Sequence, residues 1–152
     1  MRKIDEKENF FRRGKPCFTM DNITRRQNEM AYIADEACQA QGMENKKRLY
    51  EFNHAKPWET ENMARLIDSI LGSHGKNTAI LPPFQCDYGK NIVVGDNFFA
   101  NYNLVVLDVA KVTIGDNVFI APNVAIYTAG HPVHYEARNT MYEYGISVTI
   151  GD

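Results

Sequence analysis

The sequence lacks any long apolar run, because Asp, Asn or Gly interrupts its apolar stretches every few residues. No stretch approaches the roughly 20 apolar residues that a membrane-spanning helix needs. The polar start, "MRKIDEKENF", is not a signal peptide. Basic residues are not in excess either: 17 Lys and Arg stand against 19 Asp and Glu, so no basic surface for nucleic acid is indicated. We therefore expect a cytoplasmic protein without membrane or nucleic-acid partners.

Cysteine is scarce and shows no metal-binding spacing. The three residues, Cys17, Cys38 and Cys86, are scattered along the chain and form no CxxC pair. An odd, dispersed set of this kind favours reduced thiols over disulfides or a zinc site, and we predict no bound metal. With 152 residues the chain is long enough for one domain with a substantial core, and two large domains are not expected.

Charge divides the chain into two halves of different construction. Residues 1–76 hold 14 basic and 12 acidic side chains, whereas residues 77–152 hold 3 basic and 7 acidic ones. In the first half, apolar residues recur at helical spacing over 23–52, and Gly42 is expected to break this stretch into two helices. A further helix is predicted over 59–71. We therefore predict an N-terminal α-helical segment over 1–76.

The second half contains a short repeat. Small or branched apolar residues recur there in steps of six or eight, and several are followed by a turn signal such as "VGDN", "IGDN" or "IAPN". The recurring positions are Ile80, Cys86, Val94, Ala100, Val106, Ile114, Ile120 and Ile126. Six residues accommodate only a short strand and a tight turn, so three steps form a coil of about 18 residues. Stacked coils form a parallel β-solenoid of triangular section, which we predict over 77–152.

The regular steps stop after Ile126. The next residue in phase is Ile150, 24 positions further on, which corresponds to one six-residue step and an 18-residue excursion. The segment "YTAGHPVHYEAR", which follows Ile126 directly, therefore lies on a loop that leaves the solenoid. We place this excursion at about 128–145.

Three stretches occur together and in order on this repeat frame: "YEFNHAKP", "PPFQCDYGKNIVVGDNFFANYNLVVLD" and "IGDNVFIAPNVAIYTAGHPVHYEAR". In these motifs the sequence resembles the maltose and galactoside O-acetyltransferases of the hexapeptide-repeat acyltransferase superfamily. The resemblance implies a mainly β fold, a left-handed parallel β-helix preceded by an α-helical segment. It also implies transfer of acetyl from acetyl-CoA to a hydroxyl of a sugar such as maltose or a galactoside. The expected assembly is a homotrimer with its sites between subunits and without a metal.

The resemblance assigns the catalytic base to the histidine of "GHP", which is His131. A neutral imidazole with a pKa near its usual value of about 6.5 can remove the proton of a sugar hydroxyl as it attacks the thioester. Gly130 is expected to allow an unusual backbone turn before it, and Pro132 to fix the residue after it. Taken without the resemblance, His131 and His134 are equally consistent with an ordinary polar loop.

For the acceptor sugar, the resemblance carries over Asn101 in "FFANYN" and Asp87 in "CDYG". Amide and carboxylate groups suit sugar hydroxyls, and a site built on such hydrogen bonds discriminates strongly. Glu143 in "YEYG" is expected to orient the acceptor or the base, and Asp21 is the candidate for an N-terminal acidic residue that contacts the acceptor. Asn and Asp at solenoid corners also satisfy turn backbone, so a purely structural role stays open for Asn101 and Asp87.

Two other functions stay open. The family continues through further coils that carry most of its coenzyme A contacts, whereas this sequence stops at "VTIGD". We therefore expect the C-terminal coils to be absent, and a truncated, non-catalytic β-helix module is an alternative. The second alternative is a zinc enzyme like the γ-carbonic anhydrases, which use three histidines at a subunit interface. His54 and His74 fall in the helical half, so the coils cannot supply that ligand set.

Overall fold

The computed structural model describes residues 20–152. Residues 1–19, which include Cys17 and the start of the predicted helical segment, lie outside the described residues. The helices are α1 (Asn22–Gln27), α2 (Glu36–His54), α3 (Thr60–Ile70) and α4 (Tyr135–Arg138). None of these helices is both long enough and apolar enough to cross a membrane.

Three parallel sheets form the faces of a solenoid. The first face contains β2 (Ser73–His74), β5 (Ile92–Val94), β8 (Val112–Ile114) and β13 (Val148–Ile150). The sequence placed His74 in the helical half, but β2 pairs with β5, so His74 lies on the first coil. The second contains β3 (Ala79–Ile80), β6 (Phe99–Ala100) and β9 (Phe119–Ile120), and the third contains β4 (Phe84–Cys86), β7 (Leu104–Leu107) and β10 (Ala125–Tyr127). A separate antiparallel sheet joins β1 (Tyr32–Ile33), β12 (Tyr142–Gly145) and β11 (Ala129–Gly130). The predicted parallel β-solenoid is confirmed.

The coils are slightly longer than the repeat suggested. Side chains that bond between neighbouring coils lie 20 positions apart in the sequence. In the same register, Ala100 pairs with Ile80 on one side and with Ile120 on the other. The predicted coil of about 18 residues was short, because one of the three steps in each coil is eight residues long. All eight recurring apolar positions are buried, so the inward-facing frame read from the sequence is confirmed.

Two corners of the solenoid carry ladders of asparagine side chains. At the first corner, between the first and second faces, Asn77, Asn97 and Asn117 have φ of 57°, 57° and 59°. Asparagine tolerates this left-handed conformation better than most residues. Nδ2 of Asn77 donates to Oδ1 of Asn97 at 2.9 Å, and Nδ2 of Asn97 donates to Oδ1 of Asn117 at 2.8 Å. At the second corner, Asn103 bonds Asn123 in the same way at 3.1 Å, so both ladders join residues 20 positions apart.

Helices α2 and α3 cover the first coil of the solenoid. The buried faces of the two helices and of the coils form one apolar cluster. The predicted helix over 59–71 is confirmed as α3, whose apolar stripe is fully enclosed. Its members are Met63, Leu66, Ile67 and Ile70.

The predicted helix break at Gly42 is wrong. Gly42 lies inside α2, and the chain leaves helical geometry earlier, between α1 and α2, where Glu29 has a φ of 57°. A glycine in a helix interior costs roughly 1 kcal/mol, and the packing of α2 on the solenoid outweighs that local preference.

A short segment before α2 ties the helical half to the excursion loop. Strand β1 pairs antiparallel with β12 and sets Tyr32 opposite Glu143. The carboxylate of Glu29 accepts hydrogen bonds from the backbone N–H of Ser147, at 3.0 Å, and from its hydroxyl. A two-residue strand has no periodicity to detect, so this connection leaves no signal in the sequence.

Candidate active site

The candidate site lies at the third corner, where strands of the third face lead back to the first. The two complete steps through this corner, from Cys86 to Val94 and from Val106 to Ile114, are eight residues long. The next one runs from Ile126 to Ile150 and contains the excursion loop. Ile150 pairs with Ile114, which ends an eight-residue step. The excursion loop is therefore inserted into an eight-residue step, whereas the sequence predicted that it is inserted into a six-residue one.

The excursion loop is a strand pair with a short helix between its arms. Strand β11 pairs antiparallel with β12, and α4 lies between them. Gly130 was predicted to adopt an unusual backbone turn, but its φ is not left-handed; among the described glycines only Gly89 has such a φ. Gly130 instead gives room to Tyr144, because a Cβ there would lie 2.7 Å from atoms of its ring, and the ring would have to shift.

His131 projects from this loop into solvent. Its Nδ1 lies 3.5 Å from the backbone carbonyl oxygen of Tyr142, at the long end of hydrogen bonding. A carbonyl only accepts, so this hydrogen bond forms in the tautomer that carries the proton on Nδ1, and in that tautomer the lone pair on Nε2 is free. The arrangement suits an imidazole that removes a proton through Nε2. His134 instead stacks on Tyr135, with ring centroids 5.2 Å apart.

Asp87 and Glu143 meet in one cleft, although they are far apart in the sequence. The cleft has a volume of about 410 Å³ and is also lined by Tyr32 and Lys46. Burial, and then the charge of Glu143, raise the pKa of the Asp87 carboxyl. Tyr32 is fully buried, and its hydroxyl has no hydrogen-bond partner among residues 20–152. Burial first, and then the charge of Glu143, raise the pKa of Tyr32, which keeps the phenol as a neutral donor.

Asp108, which sequence reasoning missed, supports the backbone at Asp87 and Tyr88. It is fully buried, and its Oδ1 accepts hydrogen bonds from the backbone N–H groups of Asp87 and Tyr88, both at 2.9 Å. Its Oδ2 has no partner among the described residues. Thr128 occupies the equivalent position one coil later, where its hydroxyl accepts the backbone N–H of Ala110. A frame with the true length of the coil would have revealed this pair of corner supports.

The pKa of Asp108 predicts a pH effect on stability. Burial is the largest cause that raises this pKa from 3.8 to about 6. The folded state therefore binds the proton more tightly, and the resulting stabilisation is complete below about pH 3.8 and lost as the pH rises through about 6. At about 1.4 kcal/mol per pKa unit, this amounts to about 3 kcal/mol.

We expect Asp108→Asn to remove that component. In urea unfolding at pH 4 and pH 7.5, the free energy of unfolding should fall less for the variant than for the parent, by up to about 3 kcal/mol. Glu136→Gln, which neutralises an exposed acid of the loop, should keep the parental difference. Equal pH dependence of the parent and Asp108→Asn would contradict a raised pKa.

Asn101 and Asp21 lie outside the cleft that holds Asp87 and Glu143. Asn101 follows β6 at the second corner, is half-buried, and accepts the Tyr102 backbone N–H through Oδ1 at 2.8 Å. Asp21 is the N-cap of α1 and accepts the backbone N–H of Thr24 at 2.8 Å. Their roles toward an acceptor stay predictions. Within residues 20–152, no three His, Cys, Asp or Glu side chains are placed to hold a metal ion.

No family model matches the sequence, but curated proteins and solved structures do. The galactoside O-acetyltransferase of Escherichia coli is 46% identical over 110 residues, which are 72% of this chain and 54% of the relative. A crystal structure of a maltose O-acetyltransferase from Clostridium difficile superposes with a TM-score of 0.83 at 40% identity, over 87% of this chain and 74% of that one. A galactoside acetyltransferase in complex with coenzyme A superposes with a TM-score of 0.80 at 39% identity, over 84% and 64%. The chain spans about half the length of the curated relatives it matches first.

Proposed function

Because this chain belongs to the galactoside and maltose O-acetyltransferases of the hexapeptide-repeat group, we propose that it transfers acetyl from acetyl-CoA to a hydroxyl of a sugar. Its solenoid is the left-handed β-helix of that group, as the resemblance implied. The relatives support the reaction class, since two of them are named for acetyl transfer to maltose or to a galactoside. Coenzyme A, bound in one of those structures, supports acetyl-CoA as the donor.

His131 acts as general base in this proposal. Its Nε2 takes the proton of the acceptor hydroxyl while the hydroxyl oxygen bonds to the thioester carbonyl carbon. The carbon–sulfur bond then breaks, coenzyme A leaves as a thiolate that recovers the proton, and the sugar ester remains. The observation that carries the assignment is the contact of Nδ1 with the Tyr142 carbonyl, which leaves Nε2 free to accept a proton.

Asp87 and Glu143 bind the acceptor in this proposal. Their cleft offers two carboxylates as hydrogen-bond acceptors and the ammonium of Lys46 as a donor. This combination suits a molecule with several hydroxyls, since each hydroxyl can both donate and accept. An acceptor lacking one of these hydroxyls would leave a buried polar group unpaired, so the cleft would discriminate between sugars.

We further propose that the chain acts in the cytoplasm as a homotrimer with sites between subunits. Asn101 and Asp87 occupy different corners of one solenoid, so a shared acceptor pocket needs Asn101 from a neighbouring subunit. Phe119 supports an apolar contact surface, because 74% of its surface is exposed and its ring lies 6.1 Å from that of Phe99. The free, buried thiols of Cys38 and Cys86 fit a reducing compartment.

The direct test is acetyl transfer itself. Purified chain would be incubated with acetyl-CoA and either a galactoside or maltose, and release of the coenzyme A thiol would be followed together with the mass of the sugar ester. Thiol release that depends on the sugar supports the proposal. Sugar binding without thiol release would instead favour the non-catalytic β-helix module.

Replacing Asn101 by alanine should weaken use of the acceptor. We expect kcat/KM for the sugar to fall about 10 to 100-fold, the scale of losing one or two buried hydrogen bonds, with the KM for acetyl-CoA unchanged. Parent and variant should sediment alike, which separates a lost contact from a lost assembly. An unchanged acceptor profile together with lower thermal stability would assign Asn101 to the turn that it makes with Tyr102.

A further inference from the structure

The backbone at Asp87 is held from two sides by buried side chains. On one side, Oδ1 of Asp108 accepts the backbone N–H groups of Asp87 and Tyr88, both at 2.9 Å. On the other side, Nδ2 of Asn45 donates to the carbonyl oxygens of Cys86 and Asp87, at 3.3 and 3.2 Å. Asp108 and Asn45 are both fully buried. The peptide groups of this stretch therefore cannot turn without breaking a hydrogen bond inside the protein.

The direction of the Asp87 carboxylate depends on this backbone. Burial, and then the charge of Glu143, raise the pKa of the Asp87 carboxyl, and none of the described groups that act on this pKa does so through a hydrogen bond. The side chain starts from a residue whose own N–H and C=O are both bonded. The backbone therefore sets where the carboxylate points in the cleft that it shares with Glu143 and Lys46.

The fold does not require a carboxylate at this corner. One coil later, Thr128 supports the backbone with a neutral hydroxyl, which accepts the N–H of Ala110 at 3.0 Å. Burial raises the pKa of Asp108 to about 6, so its charged form destabilises the fold at neutral pH. Its Oδ2 has no partner among residues 20–152, which adds to that cost. A residue that lowers stability where a neutral one suffices indicates a functional role.

We infer that Asp108 is a positioning residue for the acceptor: by holding the backbone at Asp87, it directs that carboxylate toward a hydroxyl of the bound sugar. The inference rests on the proposed function, in which Asp87 binds the acceptor. Asp108 does not reach the sugar itself, because it is fully buried and does not line the cleft. Its bonds to the two N–H groups are charge-assisted and therefore stronger than neutral ones. Asp108 thus acts on acceptor binding, and not on the proton transfer at His131 or on acetyl-CoA.

The test is a calorimetric titration of the chain with maltose and with methyl β-galactoside, without acetyl-CoA and at pH 7.5, where Asp108 is ionised. Asp108→Ala should raise the Kd for the sugar about tenfold or more, the scale of losing one hydrogen bond to a charged group. Asp108→Asn, whose amide oxygen can still accept both N–H groups, should stay within about threefold of the parent. In steady-state kinetics, Asp108→Ala should raise the KM for the sugar and leave kcat and the KM for acetyl-CoA close to the parental values.

Asn53→Ala is the matched control. Asn53 also makes two hydrogen bonds to the backbone of β4, since it accepts the N–H of Phe84 and donates to its carbonyl oxygen, both at 2.8 Å. It lies outside the acceptor cleft, so its loss should lower the melting temperature and leave the Kd for the sugar unchanged. Asp108→Ala should also melt lower, and both variants are titrated well below their melting temperatures. If Asp108→Ala does not fold, Asp108→Thr replaces it. The hydroxyl of Thr128 accepts a single N–H at the equivalent position, so the Kd of Asp108→Thr should exceed that of Asp108→Asn.

Three results would count against the inference. If Asp108→Ala melted below the parent but bound sugar with the parental Kd, Asp108 would serve stability alone. If Asn53→Ala and Asp108→Ala raised the Kd equally, the cause would be a general loosening of β4. A parent that binds neither sugar would contradict the acceptor cleft, and the positioning role with it. Because the titrations contain no acetyl-CoA, they separate failure of the positioning role from failure of acetyl transfer.

Discussion

Replacing His131 by alanine is expected to lower kcat for acetyl transfer by about 10² to 10⁴-fold, the usual contribution of a general base. Without the imidazole, the acceptor hydroxyl must lose its proton to water. His131 is exposed and lies outside the apolar core cluster, so its removal leaves the β-helix intact. Steady-state rates at saturating sugar and acetyl-CoA measure the effect, and the affinity for acetyl-CoA should stay close to that of the parent.

His134 provides the matched control for that experiment. It lies three residues further along the same exposed loop and stacks on Tyr135, so His134→Ala should keep kcat within a few-fold of the parent. Added zinc or chelator should change neither enzyme. If His131→Ala retained nearly full turnover while chelator abolished it, a metal site would replace the acetyltransferase proposal.

Ile120→Asp is expected to destabilise the fold by about 3 kcal/mol or more, because a buried carboxylate without a partner is costly. Ile120 points into the solenoid with 9% of its surface exposed and stacks in register on Ala100. Urea unfolding of parent and variant measures the loss. Ile120→Val, which removes one methyl group in the same place, should cost only about 0.5 to 1.5 kcal/mol.

Ala121→Asp tests whether the destabilisation comes from burial of the carboxylate or from its charge alone. Ala121 is the next residue and is exposed, so the same carboxylate there should change the free energy of unfolding by less than about 0.5 kcal/mol. Similar melting of Ile120→Asp and the parent would show that the inward-facing frame does not determine stability at this coil.

The inward-facing positions of the solenoid could be predicted from the sequence, because the spacing of the apolar residues is itself the structural repeat. Every recurring position from Ile80 to Ile126 is buried. The sequence was not sufficient for the helical half, where tertiary packing decides local structure: Gly42 stays helical against the solenoid. The role of Gly130 could not be predicted from the sequence either, because it depends on the contact with the ring of Tyr144, on the returning arm of the loop.

The candidate site was predictable only as separate residues. Motifs identified Asp87 and Glu143, but their meeting in one cleft depends on the pairing of β1 with β12, which leaves no periodic signal. Asp108 could have been recognised from the sequence, because Thr128 occupies the equivalent position one coil later. The assumed coil of about 18 residues did not align these two positions.

The three corners of the solenoid differ in how freely they can change length. Asparagine ladders at the first two corners bond residues 20 positions apart, so an insertion there would unpair rungs on both sides. The third corner is held by Asp108 and Thr128, which bond the backbone, and it already accommodates both the eight-residue steps and the whole excursion loop. The loop that carries His131 can therefore be exchanged for one of another length at this corner, in evolution or by design, without a change in the stacking of the coils.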